Sequence, residues 1–293
     1  MNDIKIGVIG GDQRQLVMAV ELAKLGIETA VYAFDKYEGN FHDITRCTSL
    51  ECTVKGAAAV ILPMPYSLDN IRLNCPLSTK DIRLDELFSM FQPNQIIAGG
   101  CFSAALYSFN ENLKIHDYYE REELTVCNAI PTAEGAVAIA INELPFTLHG
   151  SDVLITGFGR VGKVLAHTLK SMGANVTVAA RKLEDFAWMK VYGYNAVHIG
   201  DLADIAGCYN VIFNTVPDII FTRQVLCNTA PDVLIIDLAS KPGGADMKAA
   251  KELDVNIIWA LSLPGKIAPE TAGIIIKDSV LNILRDEGIF YGI

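Results

Sequence analysis

A glycine-rich turn is the part of this sequence whose residue types and spacing most clearly indicate chemistry. The apolar segment Asp152-Val-Leu-Ile-Thr156 runs into Gly157-Phe-Gly-Arg-Val-Gly162, which has the spacing of a turn that binds a dinucleotide pyrophosphate. The first glycine permits the tight turn, the second lets the backbone approach the phosphates, and the third lets the following helix pack closely on the strand. Free N–H groups at that helix N-terminus favour an anion. The residues predicted to bind a dinucleotide here are Gly157, Phe158, Gly159, Arg160, Val161 and Gly162.

The residues after the next predicted strand, 175–180, distinguish between the two nicotinamide cofactors. NAD sites usually carry Asp or Glu at this position, where the carboxylate binds the ribose 2′-OH. Here Arg181 and Lys182 follow the strand, and an arginine forms paired hydrogen bonds to a 2′-phosphate. The sequence therefore favours NADP, although two cations also suit a solvated helix start.

Two later segments follow predicted strands and are expected at the same site. Asn214-Thr-Val-Pro217 is expected to pass beneath the nicotinamide ribose, and Asp237-Leu-Ala-Ser-Lys-Pro-Gly-Gly244 to lie near the nicotinamide. Lys241 has the charge to pair with a substrate carboxylate and a proton to donate as an acid, whereas the alternative is a solvated loop lysine. The further residues predicted to bind cofactor are Thr215, Val216, Pro217, Asp237 and Ser240.

A second glycine turn follows the first predicted strand of the chain. Its sequence is Gly10-Gly11-Asp12-Gln13-Arg14-Gln15, and it lacks the third glycine of the fingerprint. An acceptor (Asp12), a cation (Arg14) and an amide (Gln15) in one turn suit a small anion or a substrate. The sequence fits equally well an ordinary turn in which Asp12 caps the next helix and Arg14 is solvated.

Strand and helix signals alternate along all 293 residues, which predicts an α/β protein with two Rossmann-like, doubly wound parallel-sheet domains, joined by long helices as in two-domain dehydrogenases. We expect an N-terminal substrate domain at 1–128 plus 270–293, and an NADP-binding domain at 129–269. A ligand cleft is expected where the carboxyl ends of the two sheets face each other. The predicted strands are 4–9, 28–34, 58–62, 95–99, 124–128, 152–156, 175–180, 196–199, 210–214, 233–237 and 256–259, and the predicted long helices are 13–25, 131–143 and 267–287.

Composition and charge exclude several classes of protein. The net charge of −10 argues against a nucleic-acid partner. No apolar run approaches the roughly 20 residues of a membrane span, and the N-terminus begins as a strand rather than a signal peptide. The seven cysteines form no C-x-x-C pair, which suggests reduced thiols in a cytoplasmic protein. No Cys/His spacing indicates a metal site.

The positions of the five histidines bear on the type of dehydrogenase. They are residues 42, 116, 149, 167 and 198, so the last 95 residues contain none. A two-domain 2-hydroxy-acid dehydrogenase needs a late histidine as its acid–base, and this chemistry is therefore disfavoured. His149 precedes the fingerprint strand and His167 lies within the helix that follows it, and both are interpreted as structural.

Five segments together resemble the family of the dipicolinate synthase A subunit over nearly the whole chain. They are residues 6–15, 128–135, 157–162, 237–244 and 263–273. The resemblance implies an NADP-dependent oxidation of dihydrodipicolinate to dipicolinate (pyridine-2,6-dicarboxylate), in the cytoplasm of the mother cell of a sporulating bacterium. It also implies that a second, flavoprotein-like B subunit is the partner. The family can carry Arg where this chain has Lys241, and lysine keeps the charge but loses the paired geometry.

The implied reaction assigns roles to residues already singled out. A dicarboxylate substrate requires cations, for which Arg14 and Lys241 are the candidates. Aromatisation of the ring is thermodynamically favourable, so the reaction needs few acid–base groups beyond residues that orient the substrate and one proton acceptor. Glu134 is the candidate acceptor, with a plain first-turn helix charge as its alternative, and Asp12 completes the predicted catalytic set.

Two other functions remain open from the sequence. One is an alanine- or 2-hydroxy-acid-type dehydrogenase with the same two-domain layout. The other is a non-catalytic NADP-binding protein that scaffolds or regulates the flavoprotein. A homo-oligomer is compatible with either function.

Overall fold

The computed structural model describes residues 4–40, 43–107 and 113–290, so His42 lies outside the described residues. The chain divides into two compact units. Unit 1 comprises Met1–Cys127 and Ala268–Ile293, and unit 2 comprises Asn128–Ile267. Within the described residues, each unit is built around one six-stranded sheet.

The sheet of unit 1 is parallel throughout, with the strand order β3-β2-β1-β4-β5-β6. Its strands are β1 (Lys5–Ile9), β2 (Glu28–Tyr32), β3 (Thr45–Arg46), β4 (Ala59–Ile61), β5 (Ile96–Gly99) and β6 (Lys114–Asp117). Its helices are α1 (Gln13–Lys24), α2 (Leu50–Val54), α3 (Leu84–Ser89), α4 (Ala104–Tyr107), α5 (Glu122–Cys127) and the C-terminal α13 (Pro269–Asp286), with a 3₁₀ turn at Tyr118–Glu120. The central strands are buried on both faces, which explains their nearly continuous apolar sequences.

The sheet of unit 2 repeats this topology. Its strands are β7 (Asp152–Thr156), β8 (Asn175–Ala180), β9 (Asn195–His198), β10 (Val211–Asn214), β11 (Leu234–Asp237) and β12 (Asn256–Trp259). Their order, β9-β8-β7-β10-β11-β12, is the Rossmann order that unit 1 also has. The helices are α6 (Ala129–Glu143), α7 (Arg160–Ser171), α8 (Leu183–Tyr192), α9 (Leu202–Ile205), α10 (Arg223–Cys227), α11 (Met247–Glu252) and α12 (Leu263–Ile267), with 3₁₀ turns at Ile199–Asp201 and Ala206–Cys208.

The C-terminal helix completes unit 1 by packing on the helix that follows β1. Ile276, Val280, Ile283 and Leu284 are buried at helical spacing along α13. A Cβ added at Gly273 would lie 2.6 Å from the Val17 Cβ atom of α1, so the glycine permits close approach of the two helices. The predicted α/β class and its two doubly wound parallel sheets are confirmed.

One predicted strand is wrong. Residues 124–127 fall in α5, Asn128 is the N-cap residue of α6, and the edge strand of the sheet is instead β6. The Leu-Thr-Val-Cys sequence has strand propensity, but Leu124 is fully buried while Val126 is 44% exposed, and tertiary packing overrides local preference. The prediction missed β6 because Lys114-Ile-His-Asp is polar, as suits an edge strand. The two-residue edge strand β3 was also missed.

The helical stretch Glu122–Glu143 is long and apolar enough to span a membrane by length and composition alone, contrary to the expectation that no segment would be. Ala133, Ala136 and Ala140 of this stretch are buried in the core of unit 2. Such burial is typical of a core helix, and core helices can also have the length and composition of a membrane span. The helix α6 also begins two residues before Pro131, so Glu134 lies in its second turn rather than its first.

Candidate functional site

The turn that joins β7 to α7, called here the unit 2 turn (residues 157–162), has the geometry that its glycines predict. Gly157 has φ of 94°, a conformation that favours glycine. A Cβ at Gly157 would lie 2.4 Å from Thr215 Oγ1, and one at Gly162 would lie 2.2 Å from the Gly157 carbonyl oxygen. A Cβ at Gly159, in contrast, would meet nothing within 4 Å. Two glycines therefore permit close packing, and the middle one faces open space.

The N-terminus of α7 begins at this open position. Gly159 is the N-cap residue, and within the described chain α7 has neither a side-chain cap nor an acidic residue in its first turn. Phe158 is buried in the hydrophobic core of unit 2, Val161 is half-buried, and Arg160 is exposed. The first N–H groups of a helix need acceptors, so this end of α7 fits an anion such as a dinucleotide pyrophosphate.

A buried hydrogen-bond network links three strand ends beside the unit 2 turn. Thr156 Oγ1, at the end of β7, donates to Asn214 Oδ1 at 2.6 Å. Asn214 Nδ2, at the end of β10, donates to Asp237 Oδ1 of β11 at 2.7 Å. All three residues are at most 1% exposed. Because buried polar groups are stable only when they are paired, the network fixes the relative positions of the three strand ends.

The same network holds the segment after β10, where three cofactor contacts are predicted. Asn214 Oδ1 accepts from the Val216 backbone N–H at 3.0 Å, and Thr215 Oγ1 donates to the Thr156 carbonyl at 2.8 Å. Thr215 and Val216 are half-buried, whereas Pro217 is exposed. Thr215 thus faces the underside of the unit 2 turn, next to Gly157.

Asp237 occupies a different place from the one expected for a cofactor contact. Besides Asn214, its carboxylate accepts the backbone N–H groups of Ala239 at 3.1 Å and Gly244 at 2.7 Å. Since it is 1% exposed, it shapes the loop from the inside. A Cβ at Gly244 would lie 1.8 Å from Asn214 Nδ2, which explains the glycine there.

The loop that Asp237 holds, residues 238–244, carries two further predicted site residues to the surface. Ser240 and Lys241 are exposed. The loop is closed by a bond from the Gly243 N–H to the Ser240 carbonyl at 2.9 Å, and its base is anchored where Trp259 Nε1 donates to the Ala239 carbonyl at 2.8 Å. Lys241 therefore extends from a shaped loop, as predicted, and forms no ion pair within the described chain.

The end of β8 lies next to the unit 2 turn, because the Gly157 N–H donates to the Ala179 carbonyl at 2.8 Å. Arg181 and Lys182 follow directly and are both exposed. Lys182 lies 3.4 Å from Glu184 Oε1, whereas Arg181 has no ion-pair partner in the described part of the chain. Arg181 is thus an available cation at the position where the ribose of a bound dinucleotide is recognised.

The corresponding turn of unit 1, called here the unit 1 turn (residues 10–15), is closed by its own side chains. Asp12 is the N-cap of α1, and its carboxylate accepts the Arg14 N–H at 3.0 Å. Gln15 Oε1 accepts the Asp12 N–H at 3.1 Å, which completes a capping box. The alternative in which Asp12 caps the helix is therefore confirmed.

Arg14 is not solvated, contrary to the second half of that alternative. It is 8% exposed. Its Nε and Nη2 atoms donate to the Asp12 carboxylate at 2.9 and 2.8 Å, and Nη2 also donates to the Met64 carbonyl at 2.6 Å. Its Nη1 atom has no partner among the described residues. The guanidinium is thus held rigidly with one edge unpaired.

The contacts that hold Arg14 to Asp12 and Met64 are called here the clamp of unit 1. The sequence did not predict the residues that surround this clamp. Tyr118 is fully buried, its hydroxyl donates to the Leu62 carbonyl at 2.8 Å, and burial raises the pKa of the phenol. Burial raises the pKa of the Cys101 thiol to about 11, while the charge of Arg14 acts in the opposite direction. Cys101 therefore remains a thiol at neutral pH. These residues lie far from Arg14 in sequence and carry no motif that indicates the contact.

The remaining candidates lie at the surface. Glu134 is exposed on α6, and its carboxylate makes no hydrogen bond or ion pair with the described residues. His149 Nδ1 lies 3.2 Å from the Met172 carbonyl at the end of α7, which supports the structural interpretation, and His167 is exposed on α7. No cluster of metal-ligating side chains occurs in the described residues.

Comparison with known proteins identifies relatives of both units. Residues 5–119 match the family model of the N-terminal domain of the dipicolinate synthase A subunit. Residues 134–239 match that of the NAD-binding domain of D-isomer specific 2-hydroxyacid dehydrogenases. The chain is 30% identical to the dipicolinate synthase A subunit of Bacillus subtilis (strain 168) over 98% of its own length and 97% of the relative.

Solved structures give the same result. The crystal structures of the dipicolinate synthase A subunit from Bacillus halodurans and from Bacillus subtilis each match with a TM-score of 0.89 and 30% identity. The coverage is 96% of this chain and 98% of the first, and 98% of this chain and 97% of the second. A transhydrogenase from Sinorhizobium meliloti matches with a TM-score of 0.69 at 13% identity, over 97% of this chain and 92% of that chain. An L-alanine dehydrogenase matches with a TM-score of 0.65 at 14% identity, over 98% of this chain and 91% of that chain. The last two show a shared fold.

Proposed function

The chain belongs to the family of the dipicolinate synthase A subunit, and from this premise we propose that it catalyses the NADP-dependent oxidation of dihydrodipicolinate to dipicolinate. The reaction removes a hydride and a proton from the substrate, whose ring becomes an aromatic pyridine, while NADP⁺ becomes NADPH. The observation that carries the proposal is the open helix N-terminus at Gly159, in a domain that matches the NAD-binding domain of dehydrogenases.

The residues of the unit 2 turn would hold the pyrophosphate of the cofactor. The glycines leave room for it at Gly159, and the first N–H groups of α7 are available as donors. The cofactor, when bound, supplies the hydride acceptor. Thr215, Val216, Pro217 and Ser240 are proposed to line its nicotinamide half, and Asp237 to position the loop that carries Ser240.

Arg181 is proposed to select NADP over NAD. It is an exposed cation without an ion-pair partner in the described chain, whereas an NAD site would have a carboxylate there. Its planar guanidinium suits the two hydrogen bonds that a 2′-phosphate accepts. Lys182, which shares its charge with Glu184, is proposed to contribute less.

Arg14 and Lys241 are each proposed to bind one carboxylate of the substrate. Arg14 has its Nε and Nη2 atoms occupied by Asp12 and Met64, so the unpaired Nη1 edge would donate to the substrate. Asp12 then acts as a positioning residue rather than a catalytic one. Lys241 offers a point charge from the loop that Asp237 shapes. Glu134 is proposed as the proton acceptor because its carboxylate is exposed.

The family name implies a partner protein in the same enzyme. We propose that this partner is the flavoprotein-like B subunit of dipicolinate synthase and that the pair works in the cytoplasm of the mother cell of a sporulating bacterium. No flavin motif occurs in this chain, so any flavin would be brought by the partner.

Direct assay of the purified chain tests the proposed activity. Freshly generated dihydrodipicolinate is mixed with NADP⁺ or NAD⁺, with and without the flavoprotein-like partner, and both dipicolinate and reduced cofactor are followed. We expect both products from the chain alone, with NADP⁺ preferred. Products only with the partner would favour a non-catalytic NADP-binding role, and oxidation of alanine or a 2-hydroxy acid instead would favour the alternative dehydrogenase.

The proposed substrate contacts have their own test. Arg14→Ala and Lys241→Ala should each raise the KM for dihydrodipicolinate roughly tenfold or more, since a charge-assisted hydrogen bond contributes about 1.5–3 kcal/mol. NADP⁺ affinity, measured by calorimetry, should be unchanged in both variants. Normal kinetics in both would remove these two residues from the substrate site while leaving the proposed reaction in place.

A further inference from the structure

Two cysteines of unit 1 bring their sulfur atoms into contact. Cys47 follows the last residue of β3, and Cys52 lies in the short helix α2. Their Sγ atoms are 2.7 Å apart, so the two thiols are in direct contact. Both side chains are free thiols. This pair takes no part in the cofactor or substrate sites described above.

The backbone on both sides of the pair is anchored. The Cys47 N–H donates to the Val31 carbonyl of β2 at 2.9 Å. The Cys52 N–H donates to Ser49 Oγ at 3.2 Å, and the Cys52 carbonyl accepts from Lys5 Nζ at 2.8 Å. Because these bonds hold the two residues where their side chains meet, the sulfur contact belongs to the folded state of this segment.

The two sulfurs differ in access. Cys52 is exposed, whereas Cys47 is 8% exposed and forms part of the wall of a cavity of about 350 Å³. Two cations, Arg46 and Lys80, and one carboxylate, Asp35, line the same cavity, so the formal charge of its lining is positive and favours an anionic reagent near Cys47. Burial raises the pKa of the Cys47 thiol, and the nearby charge of Lys5 opposes that shift. Cys52 is thus the sulfur that a reagent from solution meets first.

None of the other five cysteines has a thiol partner. They are Cys75, Cys101, Cys127, Cys208 and Cys227, all within the described chain. A reversible oxidation that needs two neighbouring thiols is therefore available only at Cys47 and Cys52.

We propose that Cys47 and Cys52 form a reversible redox site that reacts with low-molecular-weight disulfides. The Cys52 thiolate attacks one sulfur of the reagent, so that a mixed disulfide forms and the first reagent thiol leaves with a proton. The Cys47 thiolate then attacks Cys52 Sγ, and the second reagent thiol leaves with a proton. Two protein thiols are oxidised to one disulfide, and one reagent disulfide is reduced to two thiols.

Titration of the full-length reduced chain with oxidised glutathione tests the proposal. Samples are quenched by acid, alkylated, and examined by intact mass and peptide mapping. We expect a product that is lighter by two hydrogen atoms, linked between Cys47 and Cys52, and fully restored by dithiothreitol. In Cys52→Ser, intramolecular disulfide formation should fall by roughly tenfold or more, because the second thiol acts at the high effective concentration of a neighbouring group.

Two variants make the result specific. Cys227→Ser removes an exposed cysteine in unit 2 and should leave the yield of the disulfide unchanged. Cys47→Ser should accumulate a glutathione adduct on Cys52, because the resolving thiol is gone. The proposal is overturned if the unchanged chain keeps a stable Cys52–glutathione adduct, if the first disulfide joins other cysteines, or if Cys52→Ser forms intramolecular disulfide to the same extent as the unchanged chain.

Discussion

The two units have the same strand order, and yet the turns after their first strands are built in opposite ways. The N-cap residues have nearly the same backbone conformation, with φ and ψ of −104° and −164° at Asp12 and −78° and −162° at Gly159. Three residues further on, unit 1 has a fully buried Gln15 and unit 2 has Gly162. The backbone conformation of the N-cap is thus similar in the two units. The side chains at the N-cap and three residues later determine whether the helix N-terminus is capped by the protein or left open.

Under the proposed function, the difference gives one fold two kinds of anion site. In unit 2 the helix N-terminus is open, so the phosphates of a bound cofactor would satisfy its free N–H groups. In unit 1 the protein satisfies these groups itself through Asp12 and Gln15, and the same carboxylate holds Arg14. Under the proposed function, anion recognition in unit 1 would therefore depend on one edge of the Arg14 guanidinium rather than on a helix end.

Exchange of the N-cap residue should have the largest effect. Gly159→Asp places the unit 1 cap in unit 2, where the backbone conformation and the open space permit it. We expect NADP⁺ affinity to fall roughly 100-fold or more, about 2.7 kcal/mol, because the carboxylate occupies the N–H groups and repels phosphate. The melting temperature should not fall, since aspartate is a better N-cap than glycine. Calorimetry and thermal unfolding measure the two effects.

Gly162→Ala should damage both folding and binding. Alanine normally stabilises a helix by about 1 kcal/mol relative to glycine, but here its Cβ would meet the Gly157 carbonyl at 2.2 Å. We expect a net loss of about 1–3 kcal/mol in the free energy of unfolding, together with weaker NADP⁺ binding. Gly159→Ala is the matched control, because its Cβ meets nothing within 4 Å and stability should be retained. Equal stability of the two variants would contradict the packing role of Gly162.

Arg181→Ala should reduce the preference for NADP. If Arg181 binds the 2′-phosphate, the ratio of kcat/KM for NADP⁺ to that for NAD⁺ should fall by roughly 10- to 100-fold, equivalent to about 1.4–2.7 kcal/mol. The value for NAD⁺ should hardly change. Lys182→Ala, one residue along, should lower the ratio less. An unchanged ratio in Arg181→Ala would exclude the residue from cofactor selection.

Asp12→Asn should loosen the clamp of unit 1. Asparagine still caps a helix, so the loss should come from Arg14, whose side chain is 10% exposed. We expect about 1–2 kcal/mol lower stability and a higher KM for the substrate. The control is Asp85→Asn, which breaks the exposed Arg83–Asp85 pair and should leave the stability almost unchanged. Similar losses in both variants would show that burial of Arg14 is unimportant.

The smallest effect concerns the acid stability of unit 1. A hydrogen bond and the charge of Lys114 lower the pKa of Glu287, and Arg121 does the same for Glu123. A lowered folded-state pKa contributes stability above the ordinary glutamate pKa, and this is lost as the pH falls through the folded value. Each pair should contribute less than about 1 kcal/mol. In Glu287→Gln, the protection factors of the β6 amides at neutral pH, which correct for the pH dependence of intrinsic exchange, should fall towards those of the acidified wild type.

The positions of the central strands and the unit 2 turn could be predicted from sequence because both follow from local signals. The apolar runs Val153-Leu-Ile155 and Val211-Ile-Phe213 are buried strands, and the glycine spacing sets the turn between β7 and α7. Conformation at Gly157 and close packing at Gly162 are properties of single residues, so they are encoded locally.

The roles of Asp237 and Arg14 could not be predicted, because their partners are distant in sequence. Asp237 bonds to Asn214, and Arg14 to Met64, and no spacing rule connects either pair. The edge strand β6 was missed for a related reason, since pairing with β5 rather than its own sequence makes it a strand. Contacts between residues that are distant in sequence determine these features, whereas the residues of the unit 2 turn determine its conformation locally.

Hydrogen exchange with and without NADP⁺ tests most directly the claim that only one of the two turns binds the cofactor. The account predicts slower exchange at residues 157–162 of the wild-type chain when NADP⁺ is present. It predicts no change at residues 10–15, where Asp12 and Gln15 already occupy the helix end. Protection at residues 10–15, or none at 157–162, would contradict the account.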